Sequence, residues 1–234
     1  MKKIIITLTL LCIRAFSFSQ NDAVLTYEND YSDKVGTGKV ITTIYESQGK
    51  ARVESINAST SSSFGAPRTD TQNVLIFDFT TQKETHLNAK QNTAVVMPFI
   101  VTTMEKQMMP QMGLDYVVQN LGSDTAAGYK CTHYLLTTTS SKYKNYPSAK
   151  KDVWVTNDLG TGNLFFVGAY LYLPLSSYQA TKLTDAGATG IVVKWQAMDP
   201  ISKQPNICRL VNYNAGTLRK DVFLVPSNYT VVQR

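Results

Sequence analysis

Short runs of alternating apolar and polar residues dominate the first hundred positions of the chain. Val24 to Glu28 opens, and Lys39–Ser47 and Ala51–Asn57 follow around Gln48-Gly49-Lys50. Their Val, Ile, Thr and Tyr content suits a half-buried pleated surface, and the Gly-containing break predicts a hairpin. Residues 57–70 are rich in Ser and Thr and predict an exposed loop. Asn73–Phe79, Glu84–Asn88 and Thr93–Met97 complete what the spacing predicts to be an antiparallel meander.

At Pro98 the period changes. Val101, Met104, Met108 and Met112 recur at three and four residues, with Glu105, Lys106 and Gln107 between them. That is a helical stripe, with Pro98 suited to its first turn and Pro110 and Gly113 to its end. The stripe reads as a helix packed on the sheet or as a soft lining for an apolar ligand, since unbranched thioethers reshape easily. Tyr116–Leu121 and Tyr129–Thr138 are strands joined through Gly122 and Gly128, and Asp152–Asn157 is another. The segment 163–173 holds Phe165, Phe166, Tyr170 and Tyr172 and reads equally as strand or short helix. Ser177–Asp185 predicts a helix ended by Gly187. Strands at Thr189–Met198, Asn206–Ala215 and Val222–Val225 follow, with a tail at Tyr229–Val232. The stretch from Leu121 to Asp158 divides the pattern, one half of a sheet before it and the other half after.

The first residues carry a different message. Lys2 and Lys3 precede the apolar run Ile4–Ile13, and Ser17-Phe18-Ser19 supplies a small-x-small site before Gln20. This predicts a secretory signal peptide over residues 1–19 and a single mature domain over 20–234, periplasmic or extracellular. Lipoprotein processing at Cys12 is disfavoured because Leu11 is not small. Removing the leader lowers the formal charge from +6 to +3, and no Lys/Arg-rich run remains to attract nucleic acid. The mature chain has no apolar run near the roughly 20 residues of a membrane span.

Two cysteines follow the leader, Cys131 and Cys208. In an oxidising compartment they form either a disulfide or two separate buried thiols. Cys131 and His133 lie two apart on one strand and so share a face, but no third group orients them, and a disulfide would consume the thiol. The chain has only two histidines, no phosphate-cradling Gly-rich loop and no paired-carboxylate motif. No metal site and no cofactor are expected. Lys142, Lys144, Lys150 and Lys151 with Tyr143 and Tyr146 read as a solvated loop or as a patch for lipid headgroups or an acidic partner. Asp124-Thr125-Ala126 resembles a short O-glycosylation signal.

Several pieces together carry a family resemblance: Gly128-Tyr129-Lys130-Cys131, Val153-Trp154-Val155-Thr156, the ending Phe223-Leu224-Val225-Pro226-Ser227-Asn228-Tyr229, and the hairpin from Tyr45 to Val53. They resemble the exported Bacteroidota family known as domain of unknown function 4412. That family is similar to the lipoprotein carrier and receptor proteins of the Lol pathway. The resemblance implies a mainly β (α+β) fold, a curved antiparallel half-barrel with a few helices over its concave face. The expectation is a non-enzymatic envelope protein binding a lipid, acyl chain or lipoprotein, with Met104, Met108, Met112, Phe165, Phe166, Tyr170 and Tyr172 as the lining. The alternative is an envelope scaffold that recognises a protein partner through the 57–70 and 140–151 loops.

Overall fold

The computed structural model describes residues 22–33, 36–47, 49–59, 72–98, 107–143, 148–159, 176–198 and 203–234. The leader, residues 60–71 and the 163–173 segment therefore lie outside the described residues. Among the described residues twelve strands form one open, curved sheet. Its first six are β1 (Ala23–Asp33), β2 (Gly36–Ser47), β3 (Lys50–Ser59), β4 (Gln72–Asp78), β5 (Lys83–Asn88) and β6 (Thr93–Pro98). Then come β7 (Leu114–Ala126), β8 (Tyr129–Ser140), β9 (Lys150–Thr156), β10 (Ile191–Met198), β11 (Pro205–Ala215) and β12 (Thr230–Gln233). The order across the sheet is β12-β6-β5-β4-β3-β2-β1-β11-β10-β9-β8-β7, so β7 and β12 are the edges and the sheet does not close.

The sheet does fall into two halves, but they divide before β7 and not across 121–158: β1–β6 is one antiparallel meander and β7–β11 the other. They are sewn together by β1 against β11, from Ala23↔Ala215 to Asp30↔Ile207. Tyr27 strengthens this seam, its hydroxyl donating across β11 to the Val192 carbonyl at 2.9 Å. Among the described residues only β12 pairs in parallel, with β6.

Local chemistry explains most boundaries. Ala126 pairs with Tyr129 across Ala127 and Gly128, both at positive φ (50° and 84°), the two-residue turn whose twist suits a hairpin. The break therefore comes later than expected: Gly122 (φ 97°) lies in a bulge inside β7, where the register shifts after Asn120. Helix α1 (Ser177–Asp185) opens with a capping box between Ser176 and Gln179. It closes on Gly187, whose N–H donates to Thr184 while that of Ala188 donates to Leu183.

Pro98 does not begin a helix; it is the last residue of β6, opposite Lys83. The helical turn at residues 107–111 ends at Gly113 (φ 69°). Val222 and Phe223, expected in a strand, belong to a short 3-10 helix at Lys220–Phe223. Leu224 N–H turns back to the Asp221 carbonyl, and Phe223 is buried against Ile76, Leu87 and Ala94. The C-terminal segment thus covers one face of β4–β6, held also by Arg52 Nη1 donating to Val222 O at 3.0 Å.

Candidate functional site

Alternation along paired strands places every inward residue in rows that run across the sheet. The face carrying the main core, called the inner face, is crossed by several such rows in its central part. One runs Tyr213, Leu25, Ile44, Val53, Leu75, His86, Val95 from β11 to β6. A second runs Ala23, Glu46, Ala51, Phe77, Glu84, Met97. A third runs Tyr134, Val153, Trp195, Cys208, Asn29, Val40 from β8 to β2, and all six are buried.

Helix α1 lies over the β7–β9 end of this face. Ala180 and Leu183 enter the core, and Tyr178 packs on Tyr116 at 5.9 Å between ring centroids. The Tyr178 hydroxyl and the Lys182 amine both donate to Asp115, at 2.8 and 3.0 Å. Burial raises the Asp115 pKa, but these two donors and the Tyr116 N–H outweigh it and hold the carboxyl below its ordinary value. The apolar rows continue well past α1, across β1 to β6, and end in the half-buried Leu75 and Val95.

Polar groups on this face are few and mostly paired. Thr42 Oγ1 lies 3.1 Å from Ser55 Oγ. Glu84, 1% exposed, keeps one carboxylate oxygen 3.1 Å from His86 Nε2. Two buried oxygens, Asn29 Oδ1 and Glu84 Oε2, have no hydrogen-bond partner among the described residues. Burial pushes the Tyr27 hydroxyl well above its ordinary pKa, with Cys208 and Glu46 adding to the shift. It likewise pushes the Cys208 thiol up to about 12, against the opposing pull of Lys151 and the Trp195 indole.

The cysteines resolve to the second of their two alternatives. Both are free and buried. Cys208 lies on β11 and Cys131 on β8, three strand steps apart or about 14 Å across the sheet, beyond the ~7 Å Cα limit for a bridge. The Cys131 sulfur points at the Ala126 and Tyr129 carbonyls. His133 is engaged elsewhere: its Nε2 meets Asp152 Oδ1 at 2.8 Å, and its ring stacks on Trp154. On its other side the Trp154 ring carries the Lys194 amine at 4.3 Å, and Trp154 Nε1 donates to Asp124 Oδ2 at 2.7 Å. This cluster belongs to the opposite face, in a row that continues through Arg209 to Glu28.

Of the expected lining, Met108 and Met112 are at the surface, 46% and 49% exposed. Met104, Phe165, Phe166, Tyr170 and Tyr172 lie outside the described residues. In the lysine patch, Lys150 is exposed whereas Lys151 turns inward, its amine 4.6 Å above the Trp195 ring and bonded to Gln179. Among the described residues no group of three or more His, Cys, Asp or Glu is arranged to hold a metal. No helix among them is long and apolar enough to cross a membrane.

The pattern that characterises the domain of unknown function DUF4412 matches residues 32–229. The chain belongs to the DUF4412 family. Among curated proteins no match is found for this DUF4412 protein. It is similar to several solved structures. One is PNGF-II, at 14% identity over 92% of this chain and 32% of that one, with a TM-score of 0.46. Another is MucB in complex with MucA(peri), at 11% identity over 91% and 57% of the two chains, TM-score 0.43. A putative outer membrane lipoprotein-sorting protein domain from Vibrio parahaemolyticus shares 11% identity over 87% and 89%, TM-score 0.24. The DUF4412 chain thus spans about a third of the PNGF-II chain and just over half of the MucB chain.

Proposed function

We propose that this protein is an exported, non-enzymatic envelope protein that holds an apolar group, a lipid or an acyl chain, against the inner face of its sheet. The observation that supports this reading is the reach of the apolar rows. Leu25, Ile44, Val53 and Leu75 form a floor across β1 to β4, while the contacts of α1 fall on the β7–β9 end. A wide apolar face on a curved sheet shelters chains whose transfer from water is favourable by about 0.8 kcal/mol per methylene. Met104, Met108, Met112 and the Phe165–Tyr172 segment are proposed as further lining. Export follows from the basic, apolar and small-residue pattern of residues 1–19.

The test is gentle purification from the envelope fraction of the native cell, followed by mass spectrometry of the intact protein and its organic extract. A stoichiometric lipid, displaced by an apolar dye and lost in Leu75→Lys but retained in Val117→Lys, supports the reading. A protein with no extractable lipid and no dye uptake overturns it. The intact mass also reads cleavage before Gln20.

A further inference from the structure

We infer that the free edge of β7 from Val117 to Leu121 docks a second copy of this chain, the two β7 strands pairing antiparallel about Gln119. The edge's own hydrogen-bonding groups and side chains select this occupant, independently of the apolar-ligand reading above.

β7 is 13 residues long, and no strand lies beyond it among the described residues. Sheet edges are commonly guarded by lysine or proline, and β7 has neither. Its guards are side chains that cap outward amides. Thr138 donates its N–H to Ala149, away from β7, so its pairing with Tyr116 is of the non-hydrogen-bonded kind. By alternation Tyr116, Val118 and Asn120 turn their amides and carbonyls to the open side. Asp115 Oδ1 accepts from the Tyr116 N–H at 2.7 Å, and Tyr178 and Lys182 hold that carboxylate in place. At the bulge Asn120 Oδ1 accepts from the Gly122 N–H at 2.8 Å, and beyond it Asp124 Oδ1 accepts from the Thr125 N–H at 2.7 Å. Val118 and Asn120 lie between these caps, flanked by the exposed Val117 (56%) and Leu121 (44%).

That window is complementary to itself. With two copies related by a two-fold axis at Gln119, Val118 of each faces Asn120 of the other. Exchange of both amides and carbonyls then gives about four hydrogen bonds. Val117 of each stands opposite Leu121 of the other, apolar against apolar. In the same register Asp115 falls opposite Ser123 and Asp124 opposite Leu114, so no like charges meet. A shift of two residues either way sets Asn120 against the capped Tyr116 or Val118 against the capped Gly122. The bulge at Gly122 limits the pairing to about five residues a side, less than a permanent interface buries, so the contact is reversible.

Sedimentation of the mature chain against concentration, with cysteine cross-linking, tests the pairing. Reversible dimers are expected at about 0.1–0.5 mM. Gln119 meets itself across the axis as a non-hydrogen-bonded pair, Cα atoms about 4.5 Å apart, so Gln119→Cys should give a covalent dimer on mild oxidation. The native Cys131 and Cys208 are buried and take no part. Ser123→Cys, exposed on the same edge but not facing itself, should give about tenfold less cross-linked product. Val117→Lys should weaken the dimer about tenfold and leave the melting temperature within about two degrees, because that side chain is exposed. A chain that stays monomeric throughout this range overturns the proposal. So does a dimer that survives Val117→Lys or cross-links equally through Ser123→Cys. Open-ended assemblies overturn it too, since they would mean β7 pairing with β12.

Discussion

The imidazole of His133 lies flat on the indole of Trp154, ring centroids 4.3 Å apart and planes 11° from parallel. The two residues face each other directly across β8 and β9, with Asp152 holding the far edge of the imidazole. Such a stack contributes beyond its buried area by about 1 kcal/mol. His133→Ala is expected to lower the unfolding free energy by about 1–2 kcal/mol, and His133→Phe to recover most of it. Chemical denaturation followed by Trp fluorescence checks both. A His133→Ala protein as stable as the parent would show that the stack is only contact.

The buried thiol of Cys208 is expected to weaken the fold at alkaline pH. Its folded pKa is raised from 9.0 to about 12, so its contribution to stability is complete below pH 9 and is lost as pH rises from there towards 12. Three pH units correspond to about 4 kcal/mol, on an order-of-magnitude scale. Stability measured from pH 8 to 11 should fall steadily, and Cys208→Ala should flatten the slope without abolishing it, because Tyr27 titrates against the same burial. At pH 8 the native protein should leave Cys208 unmodified by thiol reagents, and unfolding should release it.

Gly190 admits no side chain. Its φ of 108° is closed to other residues, and a Cβ there would sit 2.1 Å from the Thr156 carbonyl oxygen, a backbone atom that cannot move aside. Gly190→Ala should cost about 3 kcal/mol or more by forcing the β9–β10 junction apart. Thermal melting of the variant is the measurement. Gly216→Ala, where a Cβ meets nothing within 4 Å, serves as the control and should change little.

The β7–β8 turn offers the reverse experiment. Ala127 occupies a left-handed conformation (φ 50°) that asparagine tolerates better. Ala127→Asn should raise stability by about 0.5–1 kcal/mol, read as a melting temperature a few degrees higher.

How far the sequence could be read depends on how local each feature is. The β2–β3 hairpin and α1 with its Gly187 cap were legible because turn chemistry and helical period lie within a dozen residues. Gly122 misled because a glycine marks a bulge and a turn with the same letter; only the partner strand shows that Asn120 and Gly122 straddle an extra residue. Val222 and Phe223 looked like a strand because apolar content alone cannot separate an extended run from a 3-10 turn that buries one aromatic ring. The buried row across the seam was the least legible. Asn29, Cys208 and Trp195 come from three strands, and nothing near residue 29 announces that residue 208 will lie beside it.

The pairing of β1 with β11 fixes a schedule for folding. A chain made from its N-terminus completes β1 and β2 early, and β2 covers one side of β1 at once. The other side waits for residues 207–215, nearly two hundred positions later. Throughout that interval β1 presents an open hydrogen-bonding edge, and its inward residues Leu25 and Tyr27 lack the neighbours that bury them. Closing a loop of that length before any reward is collected makes seam formation the slow step. An exposed edge held that long is also a template for pairing with other chains. The first meander therefore needs shelter until β11 is made, and the seam that joins the two halves is where misassembly would begin.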